Sequence, residues 1–244
     1  MTIKTRLRFV QDSDPCNPRT YLDCYAGRMI CFHSRYNLGD EHGYDSSDWK
    51  EEMACEADAD LYDKLDYLRE VVEDVIYDCL VSDGEHTYTS ASEWLDNTVR
   101  RRCEELIDKA FDAGYVALPL YLYDHSGITM STGGFSCPFD SGCVGVIVCD
   151  AETVEKEFGG DRDRAESALR AEVEEYDDYL TGNVWGWIYE KFEDDEWYVE
   201  DSCYGFYGRI DPADCAGYPD LADSIECAFC IGAADFADYA DKLV

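Results

Sequence analysis

Positive charge is what this sequence has least of. Seven Lys and thirteen Arg stand against 55 Asp and Glu in 244 residues, a formal net charge of −35 at pH 7. A chain of that sign repels nucleic acid, phospholipid headgroups and anionic substrates, so direct nucleic-acid binding is not expected. Histidine is scarce too: four residues, at 33, 42, 86 and 125, leave few general bases that work near neutral pH. Long apolar runs are missing, and nothing approaches the roughly 18–20 apolar residues of a membrane span. The first residues, MTIKTRLRFVQDSD, hold no apolar leader segment. The expectation is therefore a cytoplasmic protein without membrane contact.

Several motifs are absent, and each absence excludes a chemistry. There is no P-loop, and no G-x-G-x-x-G opens a helix, so nucleotide cradles are not expected. Asp58 and Asp60 alternate like half of a calcium loop, but no Gly follows at the sixth position and no terminal Glu closes the spacing. Gly134-Phe-Ser136-Cys-Pro138 fails the nucleophile-elbow pattern at its last position. Thirteen Cys, an odd number without a secretory leader, read as small thiols rather than a disulfide framework. Only Cys227-Ala-Phe-Cys230 has metal-ligand spacing. A zinc site needs four ligands, and no second C-x₂-C or H-x₃-H completes this one; Cys137 with Cys143, or Cys203 or Cys215, would have to be recruited, so the expectation is two helix thiols facing the core and neither metal nor cofactor.

What is present supports a folded chain. Apolar residues make up 46% of the sequence and aromatics 14%, enough to build a core despite the charge. Alternation in KTRLRFV and YLDCYAGRMICFHSRY suggests two strands around a Pro-containing loop. SSDWKEEMACEA reads as a helix capped by Ser47 or Asp48. The next stretch, 59–84, puts Leu61, Leu65, Leu68, Val72, Val75, Ile76 and Cys79 on one helical stripe. SASEWLDNTVRRRCEELIDKAFDAG repeats the plan with Trp94, Leu95, Val99, Cys103, Leu106, Ile107 and Phe111, and its Arg100-Arg101-Arg102 should pair with acidic neighbours. YVALPLYLY and CVGVIVC read as strands, 151–158 and DRDRAESALRAEVEEYDDYLTG as helices, and 183–208 as a hairpin around Glu193–Glu196. The tail from Pro219 reads as partly helical. Together these elements predict an α+β fold, with several acidic amphipathic helices packed on a mainly antiparallel sheet. The expectation is a single domain, 1–244, that can carry a helical insertion at about 46–114.

Two constellations compete for function. The first is the stretch LYLYDHSGITMSTGGFSCPFDSGCVGVIVC, which gathers Asp124, His125, Ser126, Ser131, Ser136, Cys137, Asp140 and Cys143 between two strands. Cys137 with His125 and Asp140 would make a cysteine-dependent hydrolase. Asp-His-Ser-Gly is equally ordinary turn chemistry, and Gly133-Gly134 with Pro138 would set the turn. The second constellation is geometric. Carboxylates at helical spacings of three, four and seven residues form rows with about 5–6 Å between neighbours, comparable to a phosphate track. The candidate rows are Glu51, Glu52 and Glu56; Asp63, Asp66, Glu70, Glu73 and Asp74; and Glu166, Glu172, Glu174, Glu175 and Asp178. A hairpin tip at Glu193, Asp194 and Asp195 adds to them. Few cations interleave with these rows, whereas ordinary soluble helices mix both signs.

The blocks NPRTYLDCYAGRMICFHSRYNLGDEH, LYLYDHSGITMSTGGFSCPFDSGCVGVIVC, AEVEEYDDYLTGNVWGWI and EDSCYGFYG resemble a family of small accessory proteins. These are encoded by bacterial phages, prophages and conjugative elements. The resemblance spans most of the chain in the same order and carries over no catalytic residue. It implies a mobile-element gene acting in the host bacterial cytosol. In composition, though not in motif, the chain is similar to acidic DNA mimics that act as anti-restriction or anti-CRISPR proteins. The expected function is therefore a non-enzymatic inhibitor whose acidic face blocks the basic nucleic-acid groove of a host defence protein, a CRISPR effector or a restriction enzyme. The alternatives are the His125/Cys137 enzyme and a salt-adapted accessory protein without mimicry; Asp exceeding Glu favours the last, the many thiols oppose it.

Overall fold

A computed structural model describes the backbone at residues 4–22, 24–82 and 88–208, and side chains at 6, 8–22, 24–72 and 93–208. The elements run β1 (Lys4–Gln11), α1 (Pro18–Tyr21), β2 (Arg28–Cys31), α2 (Trp49–Ala57), α3 (Leu61–Ser82), α4 (Tyr88–Gly114), β3 (Tyr115–Asp124), β4 (Ile128–Ser131), β5 (Ser141–Asp150), α5 (Ala151–Phe158), α6 (Arg162–Thr181), β6 (Val184–Glu193) and β7 (Glu196–Tyr207). The fold is α+β. Its strands form two sheets, ordered β1-β6-β7 and β2-β5-β3-β4. The pairs β1–β6, β6–β7 and β3–β4 are antiparallel. Among the described residues no helix is long and apolar enough to cross a membrane. The Cys227/Cys230 pair, Cys215, His86 and the tail from Pro219 lie outside the described residues.

The chain divides into two compact units: Ala26–Leu118 with Val146–Leu169, and Met1–Tyr25 with Pro119–Gly145 and Arg170–Val244. The first, a helical unit, buries Ile30, Met53, Ala54, Leu61, Leu65, Cys103, Phe111, Val146 and Val148 in one cluster. Leu61 and Leu65 are four apart on α3, and Cys103 and Phe111 eight apart on α4, so helical periodicity delivers them to one side. Trp49 meets Phe111 edge to face at 5.7 Å, a favoured aromatic geometry. Gly114 ends α4 where a Cβ would stand 2.4 Å from Ala57 Cβ, so glycine lets the end of α4 approach α2.

Trp94 departs from the expected apolar stripe and is 68% exposed. The reason is angular. Nine residues at about 100° each put it on the opposite side of α4 from buried Cys103. Val75, Ile76 and Cys79 of the α3 stripe have side chains outside the described set.

The second, a hairpin unit, buries Phe9, Leu120, Leu122, Met130, Val173, Tyr176, Val184 and Trp187. Its β6–β7 hairpin turns at Asp194 and Asp195, with φ of 49° and 67°. This left-handed pair is the turn that matches strand twist, and Asp tolerates it better than most side chains do. The strand expected across YLDCYAGRMICFHSRY is confined to Arg28–Cys31. Upstream of it Asn17 caps α1 by accepting from Arg19 N, and Pro18 stands at the first helical position, where its missing N–H is harmless.

Candidate acidic interface

The loop that invites a catalytic reading is a set of turns. β3 and β4 form a hairpin whose Asp124 pairs with Ile128, and Ser126, at φ 63°, carries the left-handed residue. Gly133 and Gly134 lie in the separate connection from β4 to β5 and do not adopt positive φ. Ser131 Oγ accepts from Gly133 N at 3.0 Å, and Ser141 Oγ donates to Cys137 O at 2.6 Å. Both hydroxyls are thus engaged in local backbone bonds. Cys137 Sγ lies 3.4 Å from Asp140 Oδ2, and His125 Nδ1 lies 3.5 Å from that same oxygen. The carboxylate therefore stands between thiol and imidazole. A nucleophilic cysteine needs the imidazole against the thiol, with the carboxylate behind it; here the order is wrong.

The acidic rows separate into residues held internally and residues facing out. On α6 the row is mostly held. Arg19, with a side chain 2% exposed, pairs with Glu172 at 3.1 Å. Tyr25 donates its hydroxyl to Glu175, and burial followed by that carboxylate raises the phenol's pKa. Asp178 accepts from Asn183 Nδ2 at 2.6 Å. Burial is the main cause of its raised carboxyl pKa, with Asp177, Glu175 and Glu174 adding to it. Glu166 is half-buried and engaged, which leaves Glu174 as the exposed carboxylate of the row.

Sequence reasoning missed Asp177, which accepts from Thr129 Oγ1 at 2.7 Å and Met130 N at 2.6 Å. It anchors β4 to α6 beside a cavity of about 470 Å³ that Phe135, Arg170 and Glu174 also line. No sequence signal distinguishes Asp177 from its acidic neighbours. Glu190 was missed as well, though a signal existed: counting in twos from Val184 places it on the inward face of β6. It is the buried charged residue among those described, bonded to Arg6 Nε at 2.5 Å with Arg8 at 3.7 Å. Arg6, the residue opposite it on β1, is the main cause of its lowered pKa.

The helical unit keeps more of its carboxylates outward. Glu51 is the exception, gripped by both arms of Arg69 at 2.9 and 2.8 Å. Glu56 is exposed and accepts from Tyr44 Oη at 3.0 Å. Glu52, Asp63, Asp66 and Glu70 are exposed and, among the described residues, make no ion pair. The cations of α3 point elsewhere: Lys64 reaches Asp58 at 3.2 Å, and Arg69 holds Glu51. Those of α4 pair as their spacing anticipates, Arg100 with Asp96 and both Arg101 and Arg102 with Glu105. Glu73 and Asp74 continue the α3 row in sequence, but their side chains lie outside the described set. Tyr62 and Tyr67, 64% and 66% exposed, stand among these carboxylates. At the hairpin tip of the other unit Glu193, Asp194 and Asp195 are exposed.

Among the described residues no cluster of His, Cys, Asp and Glu could hold a metal ion. No family model, curated protein or solved structure matches the chain, so the meaning of the acidic surface has to be argued from its own geometry.

Proposed function

We propose that this protein is a mobile-element inhibitor of a host DNA-binding defence protein, a CRISPR effector or restriction enzyme, acting by acidic mimicry of DNA in a basic groove. The supporting observation is the outer face of α3, where Asp63, Asp66 and Glu70 are exposed and, among the described residues, form no ion pair within 4 Å. The two cations of that described stretch are engaged with Asp58 and Glu51. From Asp63 to Glu70 the helix rises about 10.5 Å, so three charges stand about 5 Å apart along the axis. One DNA strand carries a charge about every 3.4 Å of axis, a somewhat denser row of the same sign.

A face of this kind repels itself, and a Lys- or Arg-lined groove relieves that repulsion on docking. Tyr62 and Tyr67 add rings on which a partner's guanidinium can stack. Because the α6 carboxylates are engaged, the acidic face we assign to the groove is that of α2–α3.

The test is competition. A panel of restriction enzymes and CRISPR effectors is loaded with fluorescent DNA, and the protein is titrated in at about 50 and 300 mM salt. At least one member should lose its DNA, with potency falling steeply at the higher salt. Combined Asp63→Lys, Asp66→Lys and Glu70→Lys should weaken that inhibition at least about tenfold without lowering the melting temperature. DNA occupancy that never falls, or a triple variant as potent as the parent, sinks the reading.

A further inference from the structure

The hairpin unit carries a second surface, of a different kind. Strand β7 lies at the end of the order β1-β6-β7, and among the described residues no strand pairs with its outer side. Its partner β6 buries Gly186, Trp187 and Glu190, yet from Tyr198 to Gly205 every residue of β7 is exposed, on both faces. Val199 is 61% exposed, and Tyr198 and Tyr204 are each 47% exposed. The strand EWYVEDSCYGFY spans twelve residues and contains no Lys, Arg or Pro. An exposed edge of this length is a template for another strand, and natural proteins blunt such edges with Lys, Pro or brevity. None of those three devices occurs on β7; its register against β6 shifts at Glu200 and at Gly205, and its charges are all acidic, a sign that turns away acidic strands and leaves the edge open to cationic ones.

We infer that the outer edge of β7 is a docking strand for an extended, cationic segment of a partner protein. Strand addition takes its affinity from main-chain hydrogen bonds and its selectivity from alternate side chains. The selectivity here is set by charge. Glu196, Glu200 and Asp201 lie on the strand, and Glu193, Asp194 and Asp195 lead into it. Glu200 pairs with Lys191 at 2.7 Å, and Asp201 accepts from Ser202 N at 2.8 Å, so part of this charge is already engaged. A second copy of this chain would set β7 against the same acidic strand, at a net charge of −35 on each molecule. The chain's own residues 209–244, with eight acidic and two basic side chains, are repelled likewise. A segment alternating Lys or Arg with Val or Thr meets both demands: backbone for the open ladder, positive charge for the acidic one.

The surface is independent of α3, and the experiment separates the two. The probe is a fluorescent peptide of about twelve residues, matching the strand's reach, that alternates Lys with Val and Thr. Two further versions carry N-methyl groups on every second amide, in opposite registers. One register blocks the ladder and the other leaves it free.

The parent peptide should bind, and one N-methylated register should lose at least about tenfold more affinity than the other. Amide exchange should slow at Tyr198–Gly205. A version with Glu in place of Lys should not bind. Combined Glu196→Lys and Asp201→Lys should weaken the parent peptide, whereas Asp63→Lys, Asp66→Lys and Glu70→Lys together should leave it unchanged.

Absence of binding overturns the inference, as does equal behaviour of the two registers, which would mean charge without strand pairing. Loss of binding in the α3 variant overturns it too, and would place the peptide on the helical unit. Failure here leaves the α3 reading untouched, because DNA competition is a separate measurement.

Discussion

Glu190 is 6% exposed as a residue, and its charge is tolerable because Arg6 and Arg8 flank it. Replacing it by Gln keeps the shape and leaves Arg6 without its counter-charge. Because a quarter of the Arg6 side chain (24%) reaches solvent, Glu190→Gln should cost about 2 kcal/mol, less than the 3–5 typical of a fully buried pair. The pH dependence follows from the lowered pKa. Its stabilisation is present above the ordinary carboxylate range and is lost as pH falls through the lowered folded value. Urea unfolding of both proteins should therefore show a gap at pH 7 that narrows towards about pH 3. A gap that stays constant over that range would falsify an ionised, paired Glu190. Asp178 works in the opposite sense: its raised pKa means that ionisation opposes the fold as pH rises through the folded value.

Helix α6 shows what an acidic row can do besides face solvent. Within the hairpin unit Glu172 holds Arg19, Glu175 receives Tyr25, Asp177 ties down β4, and Asp178 braces Asn183. Each carboxylate satisfies a donor that would otherwise lose a partner. The Met130 amide is the sharpest case, since that residue is 2% exposed and an orphaned buried N–H costs about 1–3 kcal/mol. Asp177→Ala should destabilise the protein by about 2–3 kcal/mol and speed hydrogen exchange at Met130. Asp177→Asn, which retains an acceptor oxygen, should lose less. Equal effects of the two variants, read by chemical denaturation, would mean that the bonds from Thr129 and Met130 contribute little.

At the scale of the whole chain, −35 charges impose self-repulsion, and the described ion pairs of α2–α4 are exposed ones worth little each. Added salt should screen the repulsion. The melting midpoint should rise by several degrees between about 20 and 500 mM NaCl, with the protein already folded at the lower value. Melts followed by circular dichroism check this. A chain that unfolds in dilute buffer and folds only near molar salt would instead favour the salt-adapted reading and weaken the case for mimicry. The same repulsion makes a cationic partner a better occupant of either exposed acidic surface than another copy of the chain.

Much of the architecture is a matter of periodicity, and periodicity is local. Leu61 and Leu65 on α3, Cys103 and Phe111 on α4, the alternation of β6 and the two-residue tip at Asp194-Asp195 follow from spacing and turn chemistry alone. The scarcity of positive charge is likewise plain without coordinates. Which carboxylates face outward is not, because a helix face acquires meaning only from what packs against it. Glu172 and Asp63 belong to similar acidic stretches. A distant Arg19, 153 positions away in the chain, holds the one, while the neighbouring cations of the other turn to different acids. Likewise His125, Asp140 and Cys137 are close in sequence in any conformation, and only the packed loop puts the carboxylate between thiol and imidazole. Short-range pattern sets the elements and the sign of the surface; long-range pairing, which spacing does not encode, sorts structural charges from available ones.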